Sequence, residues 1–79
     1  METACSLQNL RPGETAAVKS LNSCGALRRR LLDMGLVEGT KVECLGISPG
    51  GDPKAFLVRG AMLAIRSGDC RDIIVNKTI

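Results

Sequence analysis

The chain has no histidine, no tryptophan and no tyrosine, and Phe56 is its single aromatic residue. Without His there is no Ser-His or Cys-His nucleophile pair, no imidazole ligand for a metal and no side chain that switches charge near neutral pH. Most enzyme classes fall away with it, and no other base or nucleophile arrangement stands in the sequence. One ring cannot build the base-stacking platform of the common single-strand RNA and DNA modules, nor line a polyproline groove. Long apolar runs are missing too. The longest, Ala61-Met62-Leu63-Ala64-Ile65, is far short of the roughly 18 residues needed to cross a bilayer. Met1-Glu2-Thr3-Ala4 is not a basic stretch leading into an apolar one, so no secretory signal is expected and the chain reads as cytosolic, without membrane insertion.

Paired cysteines are absent as well. Cys5, Cys24, Cys44 and Cys70 are separated by 19, 20 and 26 positions, and zinc knuckles normally bring two ligands from one tight turn. Neither a metal nor any cofactor is expected. In a reducing cytosol the four thiols should be unpaired, most of them packing as small core hydrophobes, with Cys24 near a helix start as the most reactive.

What remains is a compact composition. The 79 residues are 44% apolar and 24% charged, enough for one small core and one domain over residues 1–79. Net charge is +3, a modest excess for a dedicated nucleic-acid module, so nucleic acid is not the expected partner. Seven of the eleven cations are Arg, three of them consecutive as Arg28-Arg29-Arg30.

The punctuation predicts one helix among short strands. Ser6 to Leu10 reads as a capped turn, and Pro12-Gly13 sits at the centre of a type II turn before a strand over Thr15–Leu21. Asn22 or Ser23 offers an N-cap for a helix running to about Met34, whose stripe of Cys24, Leu27, Leu31 and Met34 faces the core. Gly35 takes the left-handed C-cap position and Leu36 completes a Schellman arrangement with Leu31. A turn at Glu38-Gly39 precedes a strand over Thr40–Leu45, and Ser48 to Pro53 forms a loop. Strands over Ala55–Arg59 and Ala61–Arg66 meet tightly at Gly60; a turn at Ser67–Cys70 leads to a last strand over Ile73–Val75. Five short strands and little core favour a sheet closed on itself. The expected fold is mostly β: a small five-stranded barrel with one α-helix inserted between strands 1 and 2.

These residues carry a family resemblance. Leu10-Arg11-Pro12-Gly13-Glu14, Arg29-Arg30-Leu31-Leu32-Asp33-Met34-Gly35-Leu36 with Gly39-Thr40, then Gly51-Asp52-Pro53, Arg59-Gly60 and Leu63-Ala64-Ile65-Arg66 resemble the FeoA family over about residues 6–76. The Arg-Leu-x-Asp/Glu-Met-Gly-Leu stretch is the most specific part. The resemblance implies an SH3-like barrel and a cytosolic accessory role beside FeoB, a GTP-dependent ferrous iron transporter, with recruitment to the inner face of the membrane through that partner. Two departures stand out: Glu38 precedes Gly39 where relatives often have Pro, and Cys70 replaces a usual small residue. A related barrel forms the C-terminal part of some iron- and manganese-dependent repressors. The alternative it implies is a regulatory domain responding to a metal or a peptide.

Pro12-Gly13 and Gly50 to Pro53 lack P-loop spacing and read as turns. Asp69 and Asp72 read as solvated turn residues. Pro12, Gly13, Met34, Gly35, Gly39, Asp52, Pro53 and Gly60 are assigned structural roles. The Arg triplet sweeps about 200° of the helix wheel, and Arg29 can pair with Asp33 at i, i+4. Arg28, Arg30, Leu32 and Leu36 are therefore the candidate partner-binding residues, two cations around an apolar patch. Self-association is left open. Against this interaction module stand the regulatory domain, a nucleic-acid-binding barrel with steep salt dependence, and an enzyme, for which no residues are available.

Overall fold

A computed structural model describes residues 2–78. The elements run β1 (Glu2–Ser6), a 3₁₀ turn (Leu7–Asn9), β2 (Thr15–Leu21), α1 (Gly25–Asp33), β3 (Lys41–Ile47), β4 (Lys54–Val58), β5 (Ala61–Ile65), α2 (Ser67–Cys70) and β6 (Ile73–Thr78). The fold is mostly β, as expected, with α1 between the strands expected as first and second. Six strands, rather than five, form one antiparallel sheet in the order β1-β6-β2-β3-β4-β5. The sheet is not closed on itself as expected: β1 and β5 are its edges and do not pair with each other.

The extra strand lies where the sequence shows no strand signal, since Thr3-Ala4-Cys5 alternates weakly and carries no large β-branched or aromatic residue. Its place comes from β6, whose Ile73-Ile74-Val75 run is apolar on both faces and accepts neighbours on both sides. Ser6 ends β1 and opens the capped turn that the sequence reading expected over Ser6 to Leu10. Its Oγ accepts from Gln8 N–H at 3.2 Å, capping the 3₁₀ turn, and lies 3.0 Å from the carbonyl oxygens of Cys70 and Arg71, to which it donates.

Period-2 alternation selects the core. Ala16 and Val18 of β2, Val42 and Cys44 of β3, Phe56 and Val58 of β4, Ile65 of β5 and Ile73 and Val75 of β6 point inward and are buried, with Leu7, Leu10 and Leu36 closing the ends. Phe56 is the largest fully buried side chain. Helix α1 lies on a flank and contributes Leu31 to the buried set, with Leu27 and Met34 half-buried against it.

The turns follow the sequence reading. Glu14 N–H donates to Arg11 O at 2.9 Å across Pro12-Gly13, and Thr40 N–H donates to Val37 O at 3.0 Å across Glu38-Gly39. At the end of α1, Leu36 N–H reaches Leu31 O at 3.1 Å and Gly35 N–H reaches Leu32 O at 3.0 Å, the paired bonds of a Schellman motif. Gly35 has φ 100°, a conformation costly for any residue with a β-carbon. The start of α1 differs from expectation. Cys24, not Asn22 or Ser23, is the N-cap and makes no side-chain bond; the Asn22 backbone N–H donates to Asp72 O at 2.7 Å, and Ser23 is buried with its Oγ unpartnered.

The loop over Ser48 to Pro53 is fastened to α2. Asp52 Oδ1 accepts from Ser67 N–H at 2.8 Å and Ser67 Oγ donates to Gly51 O at 3.2 Å, so the carboxylate caps the first turn of α2. Lys54 Nζ donates to the Gln8 carbonyl and ties β4 to the 3₁₀ turn.

Candidate partner-binding surface

The nine residues of α1 present two different flanks to the sheet. On one flank Arg28 and Leu32 border a groove of about 210 Å³ against Val18 to Leu21 of β2. Arg28 Nη1 donates to Leu21 O at 3.0 Å, which holds the guanidinium over the end of β2 while leaving it exposed. Leu32 is half-buried beside it. On the other flank Arg30 lies with Leu27, Leu31 and Met34 along a cleft of about 330 Å³ facing Ala64, Ile65 and Arg66. The 3.6-residue period explains the split, because Arg28 and Arg30 are about 200° apart around the axis.

The four candidate residues therefore do not form one patch. Arg28 and Leu32 come together, and Arg30 belongs to the opposite cleft. Leu36 is corrected: it has no exposed surface, because the Schellman turn folds it back beneath the helix, and it forms the floor of the Arg28 groove rather than an outward contact. Arg29 and Asp33 are exposed and do not form the expected pair; the single ion pair among the described residues joins Lys77 Nζ to Glu14 Oε2 at 3.0 Å. Two solvated side chains on an open helix face gain little by pairing and lose rotamer freedom in doing so.

A larger groove, of about 570 Å³, lies elsewhere, between the Val37 to Lys41 segment and the outer face of β3 and β4 at Glu43, Leu57 and Arg59. Sequence reasoning missed it. Leu57 sits in the apolar run Ala55 to Val58, which alternation alone does not divide into inner and outer members, and the fold turns Phe56 and Val58 in and Leu57 out. Leu57 faces Met62 across the β4–β5 ladder, and Met62 is 72% exposed.

Electrostatics at the surface are mild. Glu14 accepts from the Arg11 amide at 2.7 Å and meets Lys77, and these two contacts hold its carboxyl below the ordinary range. The thiols divide by burial. Cys44 and Cys70 are buried, as the reading of them as small hydrophobes required; Cys5 is half-buried against the core, and Cys24 is exposed rather than on the core stripe. Cys24 departs from that stripe because it is the cap residue, with extended backbone at φ −138°, and is not part of the helix wheel. Desolvation pushes the Cys70 thiol up to about 12 and raises that of Cys44. Among the described residues no three Cys, Asp or Glu side chains are grouped as metal ligands, and no helix is long and apolar enough to cross a membrane.

Known proteins place this geometry. The FeoA domain family model matches residues 5–77. The FeoA protein of Chlorobium tepidum is 36% identical, with a TM-score of 0.88 over 94% of this chain and 70% of that one. A zinc complex of FeoA from Stenotrophomonas maltophilia, described as a procaryotic SH3 domain protein, is 28% identical, with a TM-score of 0.80 over 89% of this chain and 87% of that one. The T. acidophilum protein IdeR, at 19% identity and a TM-score of 0.85 over 96% of this chain and 35% of that one, shares the fold alone. Among curated proteins, none matches the chain in sequence. With a family match spanning 5–77, the Schellman stop at Gly35 inside its most specific stretch, and an SH3-like sheet, the chain belongs to the FeoA family.

Proposed function

We propose that the protein is a non-enzymatic accessory factor of bacterial ferrous iron uptake, acting in the cytoplasm on the cytosolic part of a FeoB-type GTP-dependent transporter. Family membership over residues 5–77 carries this reading. The surface is suited to a protein partner: α1 is mounted on the sheet by Leu31, and its exposed side holds Arg28 in place through the Leu21 carbonyl next to a half-buried Leu32. A cation beside a partly apolar side chain is the composition of an interface centre and its rim. The regulatory reading rests on fold likeness alone.

The test is binding of the protein to a FeoB-type transporter in nanodiscs. Arg28→Glu and Arg30→Glu should slow association and Leu32→Ala should speed dissociation, with melting temperatures near that of the unmodified protein. Unchanged affinity in all three would remove the helix flanks from the reading. Absence of binding by the unmodified protein would remove the transporter.

A further inference from the structure

The β4–β5 hairpin leaves a row of backbone groups without partners. Its turn has two residues, Arg59 and Gly60, both at positive φ, so Val58 and Ala61 are the first ladder pair. In such a hairpin the pair beside the turn exchanges both backbone bonds and the pairs then alternate. Val58 with Ala61, Phe56 with Leu63 and Lys54 with Ile65 are thus the bonded pairs, whereas Met62 opposite Leu57 and Ala64 opposite Ala55 point their N–H and C=O away from β4. β5 is an edge of the sheet. Among the described residues no loop, cap or side chain bonds to the backbone of Met62 or Ala64, and both residues are exposed.

The space beside this edge is shaped and charged. The cleft next to Ala64 has α1 as its far wall, with Leu27 and Met34 half-buried on it. Arg30 and Arg66 face the cleft with Asp69 as its one carboxylate, and Arg59 stands at the other end of the strand. Among the described residues none of these four charges is in an ion pair. A second copy fits poorly. Two-fold pairing about Leu63 would set Met62 opposite Ala64 and Arg66 opposite Gly60, one register step from Arg59, so that Arg66 of one copy and Arg59 of the other share each end of the ladder, and like charges gathered there oppose pairing.

We propose that the β5 edge binds an extended acidic segment of a partner protein as a seventh strand, laid between β5 and α1. The backbone of Met62 and Ala64 supplies the ladder bonds, the apolar side chains of the segment rest on Leu27 and Met34, and its carboxylates meet Arg30 and Arg66. This goes beyond the transporter reading, because it specifies the chemistry of the bound segment at an edge distinct from the Arg28 groove.

The probe is a synthetic peptide, acetyl-Asp-Glu-Val-Thr-Val-Thr-Asp-Glu-amide, and a second peptide with Lys at its four acidic positions. Amide hydrogen exchange of the isotope-labelled protein is read at Met62 and Ala64. The acidic peptide at about 1 mM should slow both amides about tenfold, and the lysine peptide should leave them at the free rate. In Arg66→Glu, and independently in Arg30→Glu, the acidic peptide should lose its effect. Equal protection by both peptides, no protection by the acidic one, or protection that grows with protein concentration alone would each overturn the proposal, the last in favour of a second copy.

Discussion

The Arg59 side chain lies across Gly35, its Cδ 3.0 Å from where a β-carbon on Gly35 would project. The helix stop and the hairpin turn are thereby packed on one another, and both residues hold positive φ, 100° at Gly35 and 52° at Arg59. Gly35→Ala meets two obstacles, the left-handed backbone and the guanidinium stem. The expected cost is about 1–2 kcal/mol, or a melting point lower by about 4–8 °C for each kcal/mol in a domain of this size. Arg59→Ala in the Gly35→Ala background should return the part due to crowding and leave the backbone part. A Gly35→Ala protein melting with the parent would refute the C-cap assignment.

Thiol reactivity should follow burial. Brief treatment of the folded protein with iodoacetamide is expected to modify Cys24 first and Cys5 more slowly, with Cys44 and Cys70 labelled only in denaturant. Peptide mass mapping reads the order. Early labelling of Cys70 would mean that the α2 corner opens far more readily than its packing indicates.

Alkaline conditions should destabilise the fold through the same buried sulfurs. An unfolded thiol ionises near 9.0, whereas Cys70 in the fold is pushed up to about 12 by desolvation and Cys44 moves in the same direction. Above pH 9 the unfolded chain therefore sheds protons that the folded chain keeps. The stability tied to the neutral thiol is complete below pH 9 and is lost as pH rises toward 12, at up to about 1.4 kcal/mol per pH unit for one group. Urea midpoints measured between pH 8 and 10.5 should fall, and Cys70→Ala, although less stable throughout, should show a shallower fall. Parallel slopes would refute the assignment.

Asp52 acts at a distance in sequence as the cap of α2. Asp52→Ala removes the acceptor of the Ser67 amide and should cost about 1 kcal/mol; Asp52→Asn keeps an oxygen there and should lose less. Thermal melts of the pair distinguish a capping role from a merely solvated loop carboxylate, for which both variants would match the parent.

Local rules made the middle of the chain legible. Pro12-Gly13, the Gly35 stop and the Arg59-Gly60 turn each need particular backbone angles, and residue type announces them. Edges were less legible. β1 has ordinary propensity and exists because β6 offers it a ladder, a fact about residues 68 to 76 positions away. Leu36 was offered as a partner contact although the Schellman turn read for it already folds it back onto Leu31 and buries it, and Cys24 was misplaced because a periodic wheel stops being valid at the residue where the helix does. The cleft beside β5 depends on which amides a two-residue turn leaves outward, a property of pairing register that composition does not display.

That distant ladder bears on how the molecule assembles. β3, β4 and β5 are joined by short connections and can pair after closing only small loops, whereas β1 meets β6 only after nearly the whole chain has been brought round. Each doubling of a closed loop adds about 0.6 kcal/mol of entropy cost, and non-local pairings of this kind slow the search. The meander should therefore nucleate the fold and β1 should arrive last, so of these six strands the one earliest in chain order is the final one to find its place, and the first to detach when the molecule breathes.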